Sequence, residues 1–303
     1  MASHHHHNHD KKGVSGRNLL ISIILNLTIT FAQVVGGIIS GSLSLLSDAL
    51  HNFSDVVSLI ISYAANVLAR KEASTDRTFG YKRAEIMAAF INAASLVIIG
   101  IYLIYEAVHR LMDPSPIQSN LVIWLALLGI VVNGFSVLLL QKDAAHNLNM
   151  RSAYLHLFTD LAASVAVLIG GLLMKYLGWF WVDAILTILI ALYLVYLSYD
   201  LLRSTYRILM LFTPAHIDLN KVRTTISDHP RIDHVHHVHI WQLNEDETHF
   251  EAHIDFADDI TLSEFDDILV WIEEQLLEHF GINHVTIQPE YQKQDNKAII
   301  VQD

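Results

Sequence analysis

Six windows of about 20 mostly apolar residues, each long enough to cross a hydrocarbon core of ~30 Å, constrain this chain more than any other feature. They fall near residues 17–39, 43–69, 84–110, 119–142, 152–176 and 181–211, and each is read as a membrane-spanning helix. A composition of 52% hydrophobic and 17% charged residues over 303 positions agrees, being too apolar for an ordinary soluble domain. The first run, from Leu19, has membrane-spanning length and no small-residue cleavage site after a short core, so it is kept as a helix rather than a cleaved signal. Short connections follow Gly36-Gly37, Asp113-Pro114-Ser115-Pro116 and Leu177-Gly178 on one side. That side carries only Arg110 and Lys175, whereas Lys and Arg from Lys11 to Arg207 collect on the other. The positive-inside rule therefore places both termini in the cytosol.

After Pro214 the pattern becomes that of a water-soluble unit. A helix is expected around 216–229, strands near 232–243 and 248–257 joined at Asn244-Glu245-Asp246, a helix at 261–280 and a strand at 283–289. The fold class is thus an α-helical membrane protein with six transmembrane helices plus a small α+β cytosolic C-terminal domain. Its expected domains are a disordered His-rich tail at 1–16, the six-helix domain at 17–212, the cytosolic domain at 213–291 and a C-terminal tail at 292–303. The run His4-His5-His6-His7-Asn8-His9-Asp10 has no core to fold around; it reads either as a native metal-collecting tail or as a tag remnant.

Charge narrows the partners. Residues 212–303 hold 19 Asp and Glu against Lys221, Arg223, Arg231, Lys293 and Lys297, so this segment carries −14 and the rest of the chain +2 of the net −12. So acidic a domain repels nucleic acid and anionic headgroups and attracts cations. Cysteine is absent, which excludes disulfides and thiolate sites and leaves His, carboxylate and backbone oxygen to hold any metal.

Two segments repeat one pattern: Leu50-His51-Asn52-Phe53-Ser54-Asp55 in the second span and Leu155-His156-Leu157-Phe158-Thr159-Asp160 in the fifth. His and Asp four residues apart share a helical face, about 6 Å apart along the axis, so two such faces can present a cage of two nitrogens and two oxygens. That donor set suits zinc, with cadmium and cobalt as alternatives, whereas magnesium and calcium demand more oxygen and copper(I) softer sulfur. A lone intramembrane His is as well explained by a hydrogen bond between helices; two Asp, each costly in a bilayer and each accompanied by His at one spacing, are not. The spans run in opposite directions, and from the outer ends Asp55 lies at roughly 18 Å and Asp160 at roughly 27 Å depth in straight helices. Tilt or a cavity open to the cytosol is needed to join them.

Among the other polar residues of the spans, Asn26, Gln33, Asn92 and Asn133 read as interhelical hydrogen-bonding groups, and Asp183 stands with them. Asp48 lies seven residues before Asp55 near the same face, where it can orient a ligand or relay protons, and Glu85 is placed to pair with Lys82 or Arg83. In the tail domain His234, His236, His237, His239, His249, His253 and His284 crowd three strands of alternating faces, with Glu251, Asp255 and Glu290 nearby, and a metal-binding cluster is expected among them.

The paired His-x-x-x-Asp motifs, the stretch Ser47-Asp48-Ala49-Leu50-His51, the segment Phe79-Gly80-Tyr81-Lys82-Arg83-Ala84-Glu85 and the run Val235-His236-His237-Val238-His239-Ile240-Trp241 together resemble the cation diffusion facilitators, divalent-metal/proton antiporters. The likeness covers nearly the whole chain and is strongest to the bacterial zinc-efflux and animal zinc-transporter branch. It implies a homodimer in a bacterial inner membrane, a ferredoxin-like metal-binding cytosolic domain, and zinc export in exchange for protons by alternating access. It carries transport ligands onto His51, Asp55, His156 and Asp160, and tail-domain ligands onto His236, His253 and Glu290. Gln288 stands where some relatives have His, and the loop offering Ser74, Arg77 and Tyr81 lacks the Asp and His of a further site found in some members. Two rival readings are an intramembrane zinc metallohydrolase and a membrane metal sensor that does not transport. A cage of four protein ligands, with no His-Glu-x-x-His motif, disfavours an enzyme, since catalytic zinc keeps an open position.

Overall fold

The computed structural model describes residues 16–69, 71–144 and 148–301. The His-rich run at 4–9 lies outside the described residues. Among the described residues six helices come first: α1 (Gly16–Ser40), α2 (Leu43–Ala69), α3 (Ala84–Met112), α4 (Ser119–Ala144), α5 (Leu148–Leu177) and α6 (Trp181–Leu209). They are 25 to 30 residues long, or about 38–45 Å at 1.5 Å per residue. Helix is the form that satisfies every interior peptide group within its own segment, which a bilayer requires. Among the described residues α3, α4, α5 and α6 hold stretches long and apolar enough to span a membrane, and α1 holds a shorter apolar stretch, Ile24–Ser40. Phe31, Ile98, Trp124, Leu138 and Tyr196 point outward, the surface expected where lipid is the solvent.

Two compact units form. Of the described residues, the first takes those up to 59 and those within 94–199. Its interior is zipped by small residues: Ala49, Ala107, Ala126 and Ala191 are fully buried. Gly36 lets α1 approach α4 so closely that a Cβ there would collide with Leu125. One apolar cluster joins Leu43, Leu103, Ala107, Ala184 and Ala191, and another joins Leu45, Val122, Ala126, Val167 and Met174.

The N-terminus of α2 is held from a distance. Asp183 in the first turn of α6 is buried and accepts from the Leu43 N–H (2.8 Å), the Ser44 N–H (3.3 Å) and the Ser42 hydroxyl (2.6 Å). A carboxylate there satisfies orphan helix donors and faces the positive end of the helix dipole. This residue is therefore a helix cap, a more specific role than the interhelical packing expected of it.

The second unit takes residues 60–93 and 200–303. Its folded tail has the order α7 (Leu219–Ser227), β1 (Ile232–Gln242), β2 (Thr248–Phe256), α8 (Leu262–Phe280) and β3 (His284–Glu290). The sheet runs β1-β2-β3, with β1 antiparallel to β2 and β2 parallel to β3 through the α8 crossover. That order is the ferredoxin-like motif without its opening strand. Val222, Ile226, Val235, Phe250, Ile254, Ile272 and Leu276 form the core. Asp218 caps α7, and Thr261 with Glu264 forms a reciprocal capping box on α8, which ends at Gly281 in the left-handed conformation (φ 67°).

Strict alternation along β1 does not hold. The register shifts between His236 and His239, and His237 takes a positive φ of 50°. This bulge lets Val235, Val238 and Ile240 share the core while His236 is buried on the opposite face.

Candidate metal sites

In the helical unit the two His-x-x-x-Asp segments converge. The rings of His51 and His156 stand edge to face with centroids 5.7 Å apart, and His156 Nε2 lies 3.7 Å from Asp160 Oδ2. One ligand atom from each of His51, His156 and Asp160 falls within 4.8 Å of the others. The depth mismatch expected of straight helices therefore does not keep His51 from His156 and Asp160. The Asp55 side chain lies outside the described residues. Asp160 is buried, and a cavity of about 300 Å³ opens between Asp48, His51, Asp160 and the apolar Leu186, Leu189 and Leu194. Asp48 is itself buried and accepts from Gln33 Nε2 (3.4 Å), so a residue of α1 orients it beside the ligand groups. A mostly apolar cavity, with two imidazoles and a carboxylate within reach of one ion at its edge, is suited to a borderline metal such as zinc.

A second cluster sits in the tail domain, on β1, β2 and the end of β3. His236, His253, Glu290 and Asp295 each offer a ligand atom within 4.8 Å of the rest. His236 Nε2 is 3.4 Å from Glu290 Oε2 and 3.5 Å from Asp295 Oδ1, and His253 Nδ1 is 3.0 Å from Glu290 Oε1. His236 is 0% exposed and neither of its ring nitrogens makes a hydrogen bond, an arrangement costly for a polar group that nothing is meant to engage. The donor set therefore fits a divalent metal. Burial, aided by Lys297, pushes the His236 imidazolium below its ordinary value against Asp255, Asp295 and Glu290, keeping the ring neutral and ready to ligate. Burial alone would raise the Glu290 carboxyl, but hydrogen bonds from Lys293, Lys297 and Gln288 hold it below its usual range. Gln288 donates to Glu290 (2.8 Å), which gives it a supporting role beside the ligand groups.

The expected His cluster is split. His249 and His284 pair with each other (ring centroids 4.2 Å) beside Trp241, away from the first group, and Glu251 faces His239 instead of joining it. His249 Nε2 lies 3.3 Å from Glu247, which also binds Lys82 of the α2–α3 connection at 2.5 Å. Lys82 is thus engaged by the tail domain, a pairing not foreseen beside Glu85. In the same connection Arg77 donates to the Tyr81 hydroxyl. Sequence reasoning missed Asp295, which lies in a segment without periodicity; the alternation Lys293-x-Asp295-x-Lys297 was its only trace.

Helices of membrane-spanning length around a His/Asp pocket, with an acidic α+β tail, define a membrane protein of divalent-metal transport type. Residues 19–210 match the cation efflux transmembrane domain and residues 214–292 the cation efflux protein cytoplasmic domain, and the chain belongs to the cation efflux, or cation diffusion facilitator, family. It is 37% identical to the cadmium, cobalt and zinc/H(+)-K(+) antiporter of Bacillus subtilis, over 97% of this chain and 95% of that protein. It is likewise 37% identical to the metal cation efflux system protein CzcD of Cupriavidus metallidurans, over 93% and 89%. The zinc transporter ZitB of Escherichia coli is 33% identical, over 96% and 93%.

Proposed function

We propose that this integral membrane protein exports zinc from the cytosol in exchange for protons, with His51, Asp55, His156 and Asp160 as the transport ligands. The observation that carries the reading is the meeting of ligand atoms of His51, His156 and Asp160 within 4.8 Å of one another among apolar helices, with His51 and Asp160 lining a cavity. Names given to relatives of this length support it, among them a cadmium, cobalt and zinc antiporter and a zinc transporter. The chemistry follows from the donors. Neutral imidazoles and ionised carboxylates hold the ion while the cavity faces the cytosol; protons arriving from the outer side compete for the same atoms and release it. Cadmium and cobalt are further substrates on the same logic.

The proposed division is a His-rich tail at 1–16, a transport domain at 17–212, a metal-binding cytosolic domain at 213–291 and a tail at 292–303. Both termini lie in the cytosol, the protein works as a homodimer in a bacterial inner membrane, and His236, His253 and Glu290 bind regulatory metal. In proteoliposomes carrying a zinc-sensitive dye, the wild type accumulates zinc and His156→Ala and Asp160→Ala do not, although both variants insert and dimerise. Wild-type rates in either variant would remove the proposed site. Absence of zinc flux in the wild type, with metal still bound by the tail domain, would favour a sensor.

A further inference from the structure

The segment after β3 folds back across the tail-domain cluster. Its backbone is fixed independently of its charged side chains: the His237 N–H donates to the Ala298 carbonyl (3.1 Å), the Val238 N–H to the Ile299 carbonyl (2.8 Å), and His234 Nε2 meets the Lys297 carbonyl at 2.9 Å. The bulge at His237 frees these amides from the β1–β2 ladder and aims them at the strap. From this anchorage Lys297 Nζ enters the cluster and touches Asp295 (2.6 Å), Asp255 (2.8 Å) and Glu290 (3.3 Å), while Lys293 Nζ touches Glu290 (2.5 Å) and Asp295 (3.2 Å).

We propose that residues 293–297 are part of the metal site, with Asp295 as a fourth ligand and Lys297, assisted by Lys293, as an internal cation that a divalent ion must displace. The inference rests on the reading of His236, His253 and Glu290 as metal ligands and adds how that site is controlled. Two observations carry it. His236 is fully buried, makes no hydrogen bond through either ring nitrogen, and points Nε2 between Glu290 and Asp295. The space those carboxylates share is held by an ammonium group at contact distance, where an ion of the same sign belongs.

Charge arithmetic makes the exchange even. Asp255, Glu290 and Asp295 carry three negative charges, the two lysines supply two positive ones, and one divalent ion replaces both. Since the strap is pinned by its backbone, only two long and flexible side chains have to swing out to solvent. Asp255, 3.4 Å from His236 Nδ1, remains to orient the ligand ring. The lysines thereby lower the metal affinity, so the site fills only when cytosolic metal is abundant.

The test uses the full chain in detergent, with the histidines at 4–7 and 9 changed to serine and Asp160→Asn introduced, so that the tail domain dominates zinc binding. Zinc affinity is measured by competition with a fluorescent chelator. Lys297→Gln tightens binding by about tenfold or more, because a competing charge in a partly desolvated cluster is gone, while Lys297→Arg stays near the parent. Asp295→Asn weakens it by about tenfold or more, and His236→Ala abolishes it. Unchanged or weaker binding in Lys297→Gln, with His236→Ala still abolishing it, overturns the strap and leaves the site. Unchanged binding in His236→Ala removes the site reading, and the strap with it.

Discussion

Replacing Asp183 by alanine strips the cap from α2, and the structure sets the size of the effect. The carboxylate accepts from the N–H groups of Leu43 and Ser44 and from the hydroxyls of Ser42 and Ser44. Those hydroxyls lie 3.3 Å apart and can turn to each other, so two buried backbone donors are left stranded. At about 1–3 kcal/mol for each stranded donor, partly offset by no longer burying a carboxylate, the net loss is about 3 kcal/mol. For a cooperative unit of this size that is a fall in Tm of about 6–12 °C. Asp183→Asn keeps one acceptor oxygen at the same place and loses about half as much. Thermal unfolding in detergent, followed by tryptophan fluorescence with Trp181 two residues away, reads both variants. A fall of less than about 2 °C for Asp183→Ala would refute the capping argument.

His51→Asp is expected to retain transport but to discriminate less between zinc and cadmium or manganese, since an imidazole nitrogen gives way to hard oxygen; an unchanged competition profile would assign selectivity to the cavity shape. Ile272→Ala, at a fully buried position in the tail-domain core, is expected to cost about 3 kcal/mol in denaturant unfolding. Glu264 is held down to about 2 by Arg231 and by the Thr261 backbone and hydroxyl. Its folded value lies below its ordinary 4.5, so the stability it gives is present above that value and lost as pH falls through about 2. Glu264→Gln should therefore be less stable than the parent at pH 7, with the gap closing between about pH 4.5 and 2; a gap independent of pH would show that the capping hydrogen bonds, not the charge, carry the effect.

The helices were legible because lipid leaves the sequence little freedom. The apolar stretch of the fifth span, Tyr154–Leu177, agrees with the expected 152–176, while its helix begins earlier, at Leu148, because a polar first turn can be helical without being apolar. The tail strands were found within about two residues, since turn residues bracket them. The repeated His-x-x-x-Asp spacing gave the candidate ligands directly, but their meeting depends on helix geometry that no local pattern encodes. Asp183 and Asp295 were illegible for related reasons. One caps a helix 140 positions earlier in the chain and the other reaches the cluster through a strap pinned to a bulge, so neither partnership leaves a periodic trace.

The most direct test of metal/proton exchange is simultaneous measurement of zinc uptake and lumenal pH in proteoliposomes whose protein exposes its cytosolic face outward. With an acidic lumen the account predicts that zinc accumulates uphill while the lumen alkalinises, that both fluxes slow as lumenal pH rises, and that both vanish in Asp160→Ala. Uphill zinc accumulation with the proton gradient collapsed and no change in lumenal pH would contradict it.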